Sequence, residues 1–157
     1  MQIGFGYDVH RLVPGRNLVL GGVKIPFEKG LAGHSDADVL THAVIDAILG
    51  AAGAGDIGRC FPDTEPQYKN ISSLILLKQA GGIMKERGLD ISNIDAVIVA
   101  QAPRLAGYLP AMGELIAHAL GIASEKVNIK ATTTEGLGFA GAGEGMAAYA
   151  VAVLKGA

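Results

Sequence analysis

Two segments of the sequence are apolar at almost every position: DAVIVAQ at 95–101 and MAAYAVAVL at 146–154. Strands that face water on one side alternate apolar and polar residues, and these two segments do not. They therefore predict central strands of a sheet that is covered on both faces. Helices can cover one face. The low share of charged residues, 18%, indicates that neighbouring subunits cover the other.

Strand-like and helix-like patterns alternate along the rest of the chain. Apolar spacing predicts strands over Met1–Tyr7, Asn17–Ile25, Asp95–Gln101, Val127–Thr132 and Gly143–Leu154, and helices over Ser35–Leu49, Ser72–Arg87 and Pro110–Leu120. We expect Ser35 to cap the first helix, with Asp38 at its third position. Asp56–Lys69 is predicted to be a loop. No repeat or linker interrupts the pattern, so residues 1–157 are expected to form one α/β domain.

Composition excludes several classes of function. The net charge is −2 and no Lys/Arg run occurs, which argues against nucleic-acid and membrane-surface partners. The single cysteine, Cys60, cannot form a disulfide within the chain, which favours a reducing compartment. The N-terminal residues lack the apolar core of a signal peptide, and no apolar run approaches the ~20 residues that span a bilayer. A cytoplasmic protein is the expectation.

Three of the four histidines lie within the first 42 residues. Asp8 and His10 are two apart at what looks like the end of the first strand, and this spacing puts both side chains on the same face. If the first helix packs beside that strand, His42 can join them. One carboxylate and two imidazoles form a catalytic zinc set with one open position, and the set also suits iron, manganese or cobalt. The alternative is a solvated helix histidine near a common Asp-x-His pattern.

The stretch HSDADVLTH, residues 34–42, brings further polar groups to the start of the first helix. Asp38 and Asp46 are each four residues from His42, and either is predicted to orient its ring from behind the metal. His34 and Ser35 precede the helix, where backbone N–H groups and polar side chains can bind an anion. In the alternative reading, Ser35 is only a helix cap.

Two loops carry further candidate ligand groups. KATTTEGLGFAGAGEG, residues 130–145, offers hydroxyls, backbone N–H groups and the Glu135 carboxylate, which can hold a hard cation such as Mg²⁺ on a diphosphate. The alternative is a Thr-rich strand end followed by a flexible loop. DIGRCFPDTEP, residues 56–66, holds three acidic residues in a proline-containing loop, with Phe61 and Pro62 placed as a wall.

Five segments together resemble one enzyme family. GYDVHRL, GHSDADVLTHAVIDAILGAAGAGDIG, FPDT, AQAPRL and KATTTEGLGF are similar, in order and spacing, to the 2-C-methyl-D-erythritol 2,4-cyclodiphosphate synthases of the non-mevalonate isoprenoid pathway. The resemblance implies a phosphorus–oxygen lyase. In 4-diphosphocytidyl-2-C-methyl-D-erythritol 2-phosphate, the 2-phosphate attacks the β-phosphorus, which closes a cyclic diphosphate and releases CMP. It also implies a homotrimer with active sites between subunits, in which sheets of about four strands face the axis and helices lie outside.

The resemblance assigns roles to individual residues. It implies zinc, or another divalent transition metal, at Asp8, His10 and His42, and Mg²⁺ or Mn²⁺ at Glu135. His34 and Thr133 are assigned to the stabilisation of the transition state. The implied substrate contacts near the metal and the erythritol are Asp8, Val9, His10, His34, Ser35, Asp56, Ile57, Gly58, Phe61, Pro62, Asp63, Thr64 and Glu65. Those implied around the cytidine and the diphosphate are Ala100, Gln101, Ala102, Pro103, Arg104, Leu105, Ala106, Thr132, Thr133, Thr134, Glu135, Phe139 and Ala142.

The sequence departs from the family pattern in one loop. It reads FAGAGEG where the family has F-T-G-[RK]-G-E-G, so Ala140 and Ala142 lack a hydroxyl and a positive charge. Arg104 stands where lysine is common. Two other functions remain open from the sequence: a trimeric nucleotide-binding regulator without turnover, and a metal-dependent phosphohydrolase.

Overall fold

The computed structural model describes residues 1–157 as a mixed sheet with helices on one face. In chain order the elements are β1 (Gln2–Pro14), β2 (Leu18–Leu20), β3 (Val23–Ile25), β4 (Lys29–Leu31), α1 (Val39–Ala51), α2 (Ile57–Cys60), α3 (Ser73–Glu86), β5 (Leu89–Val99), α4 (Leu109–Leu120), β6 (Val127–Thr132), α5 (Gly138–Gly141) and β7 (Gly145–Gly156). Three short 3₁₀ turns lie at Pro66–Tyr68, Ala106–Tyr108 and Ser124–Lys126. None of the helices is both long and apolar enough to span a membrane.

The main sheet has five strands in the order β4-β1-β7-β5-β6, and β2 and β3 form a separate hairpin. Only β5 and β6 run parallel; the other neighbours are antiparallel. One row of the sheet joins Val9, Ala147, Val99 and Thr132 across four strands. The middle of β1 therefore lies level with the carboxyl ends of β5 and β6, which places the candidate site residues along one row.

The two faces of the sheet differ. Helices α1, α3 and α4 cover one face and enclose the buried core. The other face is bare within the chain, and it carries exposed side chains of β1 and β7: Ile3, Phe5, Tyr7, Val9, Tyr149 and Val151. The prediction of an α/β sheet with helices on one face is confirmed, with five strands instead of four because the short β4 pairs with the end of β1. The expected cover on the second face does not come from this chain.

Helix α1 packs directly against the backbone of β1. A Cβ added to Gly4 would lie 1.9 Å from the carbonyl oxygen of Ala47, and one added to Gly6 would lie 1.9 Å from that of Ala43. No side chain fits in this space, so the two glycines permit an approach that any other residue would prevent. The approach brings His42 of α1 within reach of β1.

The predicted start of the first helix is wrong. Ser35 does not cap it: α1 begins at Val39, and its cap is Asp38, whose carboxylate accepts hydrogen bonds from the N–H and the hydroxyl of Thr41 at 3.0 and 2.8 Å. The same carboxylate accepts from the N–H groups of Gly21 and Gly22 at 2.9 and 2.8 Å. These four hydrogen bonds favour Asp38 as the cap over Ser35, although serine is also a common cap residue. The two donors in the β2–β3 turn cannot be predicted from the sequence around the helix.

Several strand bounds also differ from the prediction. β1 continues to Pro14, because it pairs with β7 and then with β4, so Asp8 and His10 lie in mid-strand. The segment predicted as one strand over Asn17–Ile25 is a hairpin with its turn at the two glycines. The predicted loop over Asp56–Lys69 contains α2 and a 3₁₀ turn.

Candidate active site

Three donor atoms converge where α1 crosses β1. Oδ2 of Asp8 lies 2.8 Å from Nε2 of His10 and 3.0 Å from Nδ1 of His42, and the two ring nitrogens are 3.2 Å apart. Donors around a tetrahedral zinc ion are separated by about 3.3 Å, given bonds of roughly 2.0–2.1 Å. The three residues thus form a set that can hold a metal ion, as the sequence predicted.

The outer ring nitrogens set the tautomers that a metal site needs. Nδ1 of His10 donates to the carbonyl oxygen of Ala32 at 2.8 Å. Nε2 of His42 contacts the hydroxyl oxygens of Ser73 and Ser35 at 2.8 and 3.1 Å. A proton on each outer nitrogen leaves a lone pair on each inner one, directed at the shared point beside Asp8. The donor chemistry therefore fits a divalent transition metal.

The predicted role of Asp38 and Asp46 behind His42 is wrong. Asp38 is fully buried and caps α1. Asp46 accepts a hydrogen bond from the N–H of Ile57 at 2.8 Å, which ties α1 to the start of α2. Burial raises the pKa of both carboxyl groups; the charge of Asp36 adds to the effect at Asp38. Serine hydroxyls, not carboxylates, contact the outer nitrogen of His42.

Asp8 and His10 each favour the charged form of the other. Burial alone would raise the pKa of Asp8, but hydrogen bonds and charge from His10 and His42 lower it to about 2. Burial alone would lower the pKa of His10, and the hydrogen bond and charge of Asp8 reverse this and raise it. A metal cation replaces the proton that Asp8 otherwise attracts.

A cleft of about 420 Å³ opens beside this triad, and we call it the metal cleft. Ten of the predicted site residues line it: His10, His34, Ser35, His42, Ile57, Gly58, Phe61, Pro62, Asp63 and Thr64. Gly33, Tyr68 and Leu76 also line it and were not predicted. Phe61 and Pro62, predicted as a wall, both line the cleft, and Phe61 packs edge to face against Tyr68, with ring centroids 5.8 Å apart. Asp56 caps α2 through the N–H of Arg59 at 2.8 Å.

His34 is held at the mouth of the cleft by contacts on both sides. Its Nε2 lies 3.1 Å from the carbonyl oxygen of Glu65, and its own carbonyl accepts from the N–H of Asn70 at 2.8 Å. The guanidinium of Arg16 donates to the carbonyl oxygens of the two flanking residues, Gly33 at 3.3 Å and Ser35 at 2.9 Å. Arg16 was not predicted, because nothing in its local sequence shows which loop it reaches.

A second cavity, of about 350 Å³, lies at the carboxyl ends of the parallel strands β5 and β6. We call it the nucleotide cavity, after the ligand that the sequence predicts for its residues. Its lining includes eight of the residues predicted around the nucleotide: Ala100, Gln101, Pro103, Arg104, Leu105, Ala106, Thr132 and Thr133. Leu109 and Ala131 complete it. Ala102 points elsewhere and lines a small cavity with Ala140 and Ala142. Adjacent parallel strands end at the same sheet edge, and this brings the 100–106 and 131–133 segments together.

The loop after β6 is shaped by backbone contacts. Glu135 has a positive φ of 54°, and its N–H donates to the hydroxyl of Thr133 at 3.2 Å. The N–H of Gly136 donates to the side-chain oxygen of Gln101 at 3.1 Å, which joins this loop to the 100–106 segment. The hydroxyl of Thr134 donates to the carbonyl of Leu137 at 2.6 Å. The Glu135 side chain is thereby left exposed beside the nucleotide cavity.

The structure does not bring every predicted site residue together within one chain. β1 and β6 are separated by β7 and β5, so the strand of Asp8 and His10 and the strand before Thr133 are three strand spacings apart, about 14 Å along the sheet. Val9 and Phe139 line a further small cavity, which His10 also lines. Within one chain, the metal cleft and the nucleotide cavity share no lining residue.

Comparison with known proteins agrees with this geometry. The model of the YgbB family matches residues 1–155. A protein of Pelotomaculum thermopropionicum named 2-C-methyl-D-erythritol 2,4-cyclodiphosphate synthase is 64% identical over 98% of the chain and 95% of its own length. A bifunctional IspD/IspF enzyme of Desulforudis audaxviator is 61% identical over 98% of the chain. The chain spans only 39% of that longer enzyme.

Solved structures give the same result. The bifunctional IspDF of Campylobacter jejuni has a TM-score of 0.96 and 48% identity over 99% of this chain and 42% of its own. A CDP complex of IspF from Plasmodium falciparum has a TM-score of 0.87 and 32% identity over 99% of this chain and 96% of its own. The resemblance found in the sequence is confirmed. This chain belongs to the YgbB family, together with relatives named 2-C-methyl-D-erythritol 2,4-cyclodiphosphate synthase.

Proposed function

We propose that the chain, acting as one domain over residues 1–157, cyclises 4-diphosphocytidyl-2-C-methyl-D-erythritol 2-phosphate to 2-C-methyl-D-erythritol 2,4-cyclodiphosphate and CMP. The Asp8–His10–His42 donor set beside the His34 cleft carries the proposal. The names of full-length relatives and the CDP-bound structures support it. In this phosphorus–oxygen lyase reaction, an oxygen of the 2-phosphate bonds to the β-phosphorus as the bond to the CMP oxygen breaks. No water is consumed.

The residues of the metal cleft align the diphosphate. A zinc ion, or another divalent transition metal, at Asp8, His10 and His42 would supply positive charge to the diphosphate oxygens. His34, at the mouth of the cleft, donates a hydrogen bond to the charge that develops during attack. Ser35 lies beside it with its hydroxyl available to a phosphate oxygen. Alignment and charge neutralisation supply most of the acceleration in phosphoryl transfer.

The residues of the second cavity bind the nucleotide. Backbone groups of 100–106 and Thr132 surround the cytosine. Outside this cavity, Gly58 in the lining of the metal cleft and Asp56 at the start of the same helix contact the erythritol hydroxyls. The Thr133 hydroxyl donates to the phosphate that becomes the leaving group. The Glu135 carboxylate is exposed and suited to Mg²⁺ or Mn²⁺ on the same diphosphate.

We further propose that three copies assemble with their bare sheet faces towards a common axis. Six exposed apolar side chains on β1 and β7 form a continuous surface of the kind that monomers rarely leave uncovered. The two cavities share no lining residue, and the strands β1 and β6 beside them are about 14 Å apart along the sheet of one chain, farther than a diphosphate spans. In the proposed assembly, the metal cleft of one copy lies next to the nucleotide cavity of the neighbouring copy, and the two together form one complete site. This arrangement gives three sites between subunits.

The reaction is tested by ³¹P NMR of the purified chain with substrate, Zn²⁺ and Mg²⁺. We expect a cyclic diphosphate together with CMP, and loss of both after chelation of zinc. CMP with a linear product would indicate a phosphohydrolase instead. Bound CMP and zinc without any product would indicate a nucleotide-binding regulator. Either of these results would refute the proposed cyclase.

A further inference from the structure

The outer nitrogen of His42 is the start of a buried hydrogen-bond chain that the reaction scheme does not use. Nε2 contacts the hydroxyl of Ser73 at 2.8 Å, and that hydroxyl donates a hydrogen bond to Oδ1 of Asp36. The Ser73 side chain is fully buried, in the first turn of α3. Three parts of the chain therefore meet behind one metal ligand. Helix α1 carries His42, helix α3 carries Ser73, and the loop before α1 carries Asp36.

The direction of each hydrogen bond follows from the carboxylate. An ionised carboxylate can only accept, so the hydroxyl proton of Ser73 is committed to Asp36. The serine oxygen can then only accept from His42, which requires the proton on Nε2. Nδ1 keeps its lone pair, and that atom faces Asp8 and His10.

Ser35 cannot make this choice alone. Its oxygen lies farther from Nε2, at 3.1 Å, and accepts from the N–H of Ala37 at 3.2 Å. The hydroxyl proton of Ser35 is not bound to a carboxylate. The hydroxyl can therefore either donate to Nε2 of His42 or accept from it. Ser35 therefore tolerates both tautomers of His42, and Ser73 tolerates one.

Asp36 is itself fixed by further donors. Its Oδ2 accepts from the N–H of Ser73 at 3.0 Å, and its Oδ1 accepts from the N–H of Asp38 at 3.1 Å. The carboxylate thus takes the place of a local cap on α3, because Ser72 at the cap position makes no side-chain hydrogen bond. One group joins the starts of α1 and α3 and also orients the hydroxyl behind His42.

We infer that Ser73 and Asp36 are positioning residues for the metal centre, which hold His42 in the tautomer that presents Nδ1 to a divalent metal ion. The inference rests on the proposed metal role of Asp8, His10 and His42, and it adds two residues outside that set. Partners behind a metal-bound histidine typically strengthen metal affinity by about 10- to 100-fold.

Zinc affinity separates this role from simple helix capping. Ser73→Ala removes the hydroxyl and keeps the backbone N–H that Asp36 accepts, so the cap on α3 survives. Zn²⁺ is titrated onto the full chain against a chromogenic chelator, without substrate. We expect Ser73→Ala to weaken binding by about 10-fold or more. The matched control is Ser72→Ala, which removes an exposed hydroxyl one residue away and should bind zinc like the wild type.

A second variant, Asp36→Asn, tests the same role if Ser73→Ala does not fold. Asp36→Asn keeps an oxygen for the N–H of Ser73 and removes the charge that claims its hydroxyl proton, so the same loss of zinc affinity is expected. Wild-type zinc affinity in a folded Ser73→Ala or Asp36→Asn protein would overturn the inference, as would a wild-type chain that binds no zinc. A wild type that binds zinc but forms no cyclic product would refute the proposed reaction and leave the affinity difference standing as support for this inference.

Discussion

The metal cleft and the nucleotide cavity are built in different ways. The metal ligands lie on a strand and a helix; His42, Ser35 and Ser73 are buried, and every ring nitrogen of His10 and His42 has a partner. The nucleotide cavity lies between two loops, and Gln101, Thr132, Thr133 and Glu135 are all exposed. All three metal ligands come from one chain, which can bury them. Exposed residues in the nucleotide cavity are what the proposed assembly predicts, because a neighbouring copy would cover them.

The bare sheet face lies directly behind two of the metal ligands. The exposed apolar side chains of β1 lie on the opposite side of the strand from Asp8 and His10, because successive residues alternate between faces. The proposed assembly would therefore cover the side of β1 opposite the metal ligands. We call the metal cleft with its ligands the metal half of the site, and the nucleotide cavity with its two loops the nucleotide half; the variants below test how far the two halves are independent.

The largest effect is expected from His42→Ala. Loss of one of three ligands should abolish tight zinc binding, and turnover should fall by about 10³-fold, since a Lewis acid contributes several kcal/mol to such a transition state. CMP binding should remain, because the nucleotide cavity shares no residue with the triad. Zinc titration, product formation and calorimetry with CMP measure the three quantities. His118→Ala, at an exposed histidine of α4, is the control.

Gly6→Ala should damage the metal half through packing alone. The new methyl group would overlap the carbonyl of Ala43, so α1 must move away from β1 and carry His42 with it. We expect the free energy of unfolding to fall by about 1–3 kcal/mol, as for an overpacked core, with weaker zinc binding. The control is Gly50→Ala in α1: its new methyl group meets no atom within 4 Å, so the substitution should be neutral or stabilising. Urea denaturation compares the pair, and equal stabilities would contradict the packing argument.

Gln101→Ala should weaken only the nucleotide half. The side-chain oxygen of Gln101 holds the N–H of Gly136, and its loss frees the loop that carries Thr133 and Glu135. One hydrogen bond is worth about 0.5–1.5 kcal/mol, so we expect CMP affinity to fall by about 2- to 10-fold at unchanged zinc affinity. Gln79→Ala, at an exposed position of α3, serves as the control. A matching loss of zinc affinity in Gln101→Ala would show that the halves are coupled within one chain.

The smallest expected effect concerns pH and the metal. The pKa of His10 is raised by Asp8, so its proton stabilises the metal-free fold below the ordinary pKa of about 6.5, and this contribution is lost as pH rises through the raised value. Zinc must displace that proton. The increase in melting temperature on adding zinc should therefore be larger at pH 8 than at pH 6, which differential scanning fluorimetry measures. An increase that is larger at pH 6 would contradict the assignment of His10 as a ligand.

Local sequence patterns predicted the elements whose signals are local. β6 was predicted with its observed bounds, and α4 differs by one residue, because a proline near its start and a glycine after its end mark it. The site residues came from the spacing of Asp8 and His10, the position of His42 and the family motifs. Those patterns named the metal set, and the geometry agrees with it.

Features that depend on distant partners could not be predicted in this way. The extension of β1 follows from pairing with β7, more than a hundred residues away. Asp38 displaced Ser35 as the helix cap because of donors in the β2–β3 turn. Ser73 lies in the first turn of a helix whose position relative to His42 no spacing rule gives, so its role behind the ring was missed.

The most direct test of the two-half account is complementation between two inactive variants. His42→Ala lacks the metal half, and Thr133→Val lacks a hydroxyl of the nucleotide half. The two are co-expressed with different tags, and mixed assemblies are purified on both tags. If each site joins the metal cleft of one copy to the nucleotide cavity of another, mixed trimers should recover about a third of wild-type turnover, since every mixed trimer has one interface of three at which both intact halves meet. Mixed assemblies as inactive as either parent would contradict sites shared between copies.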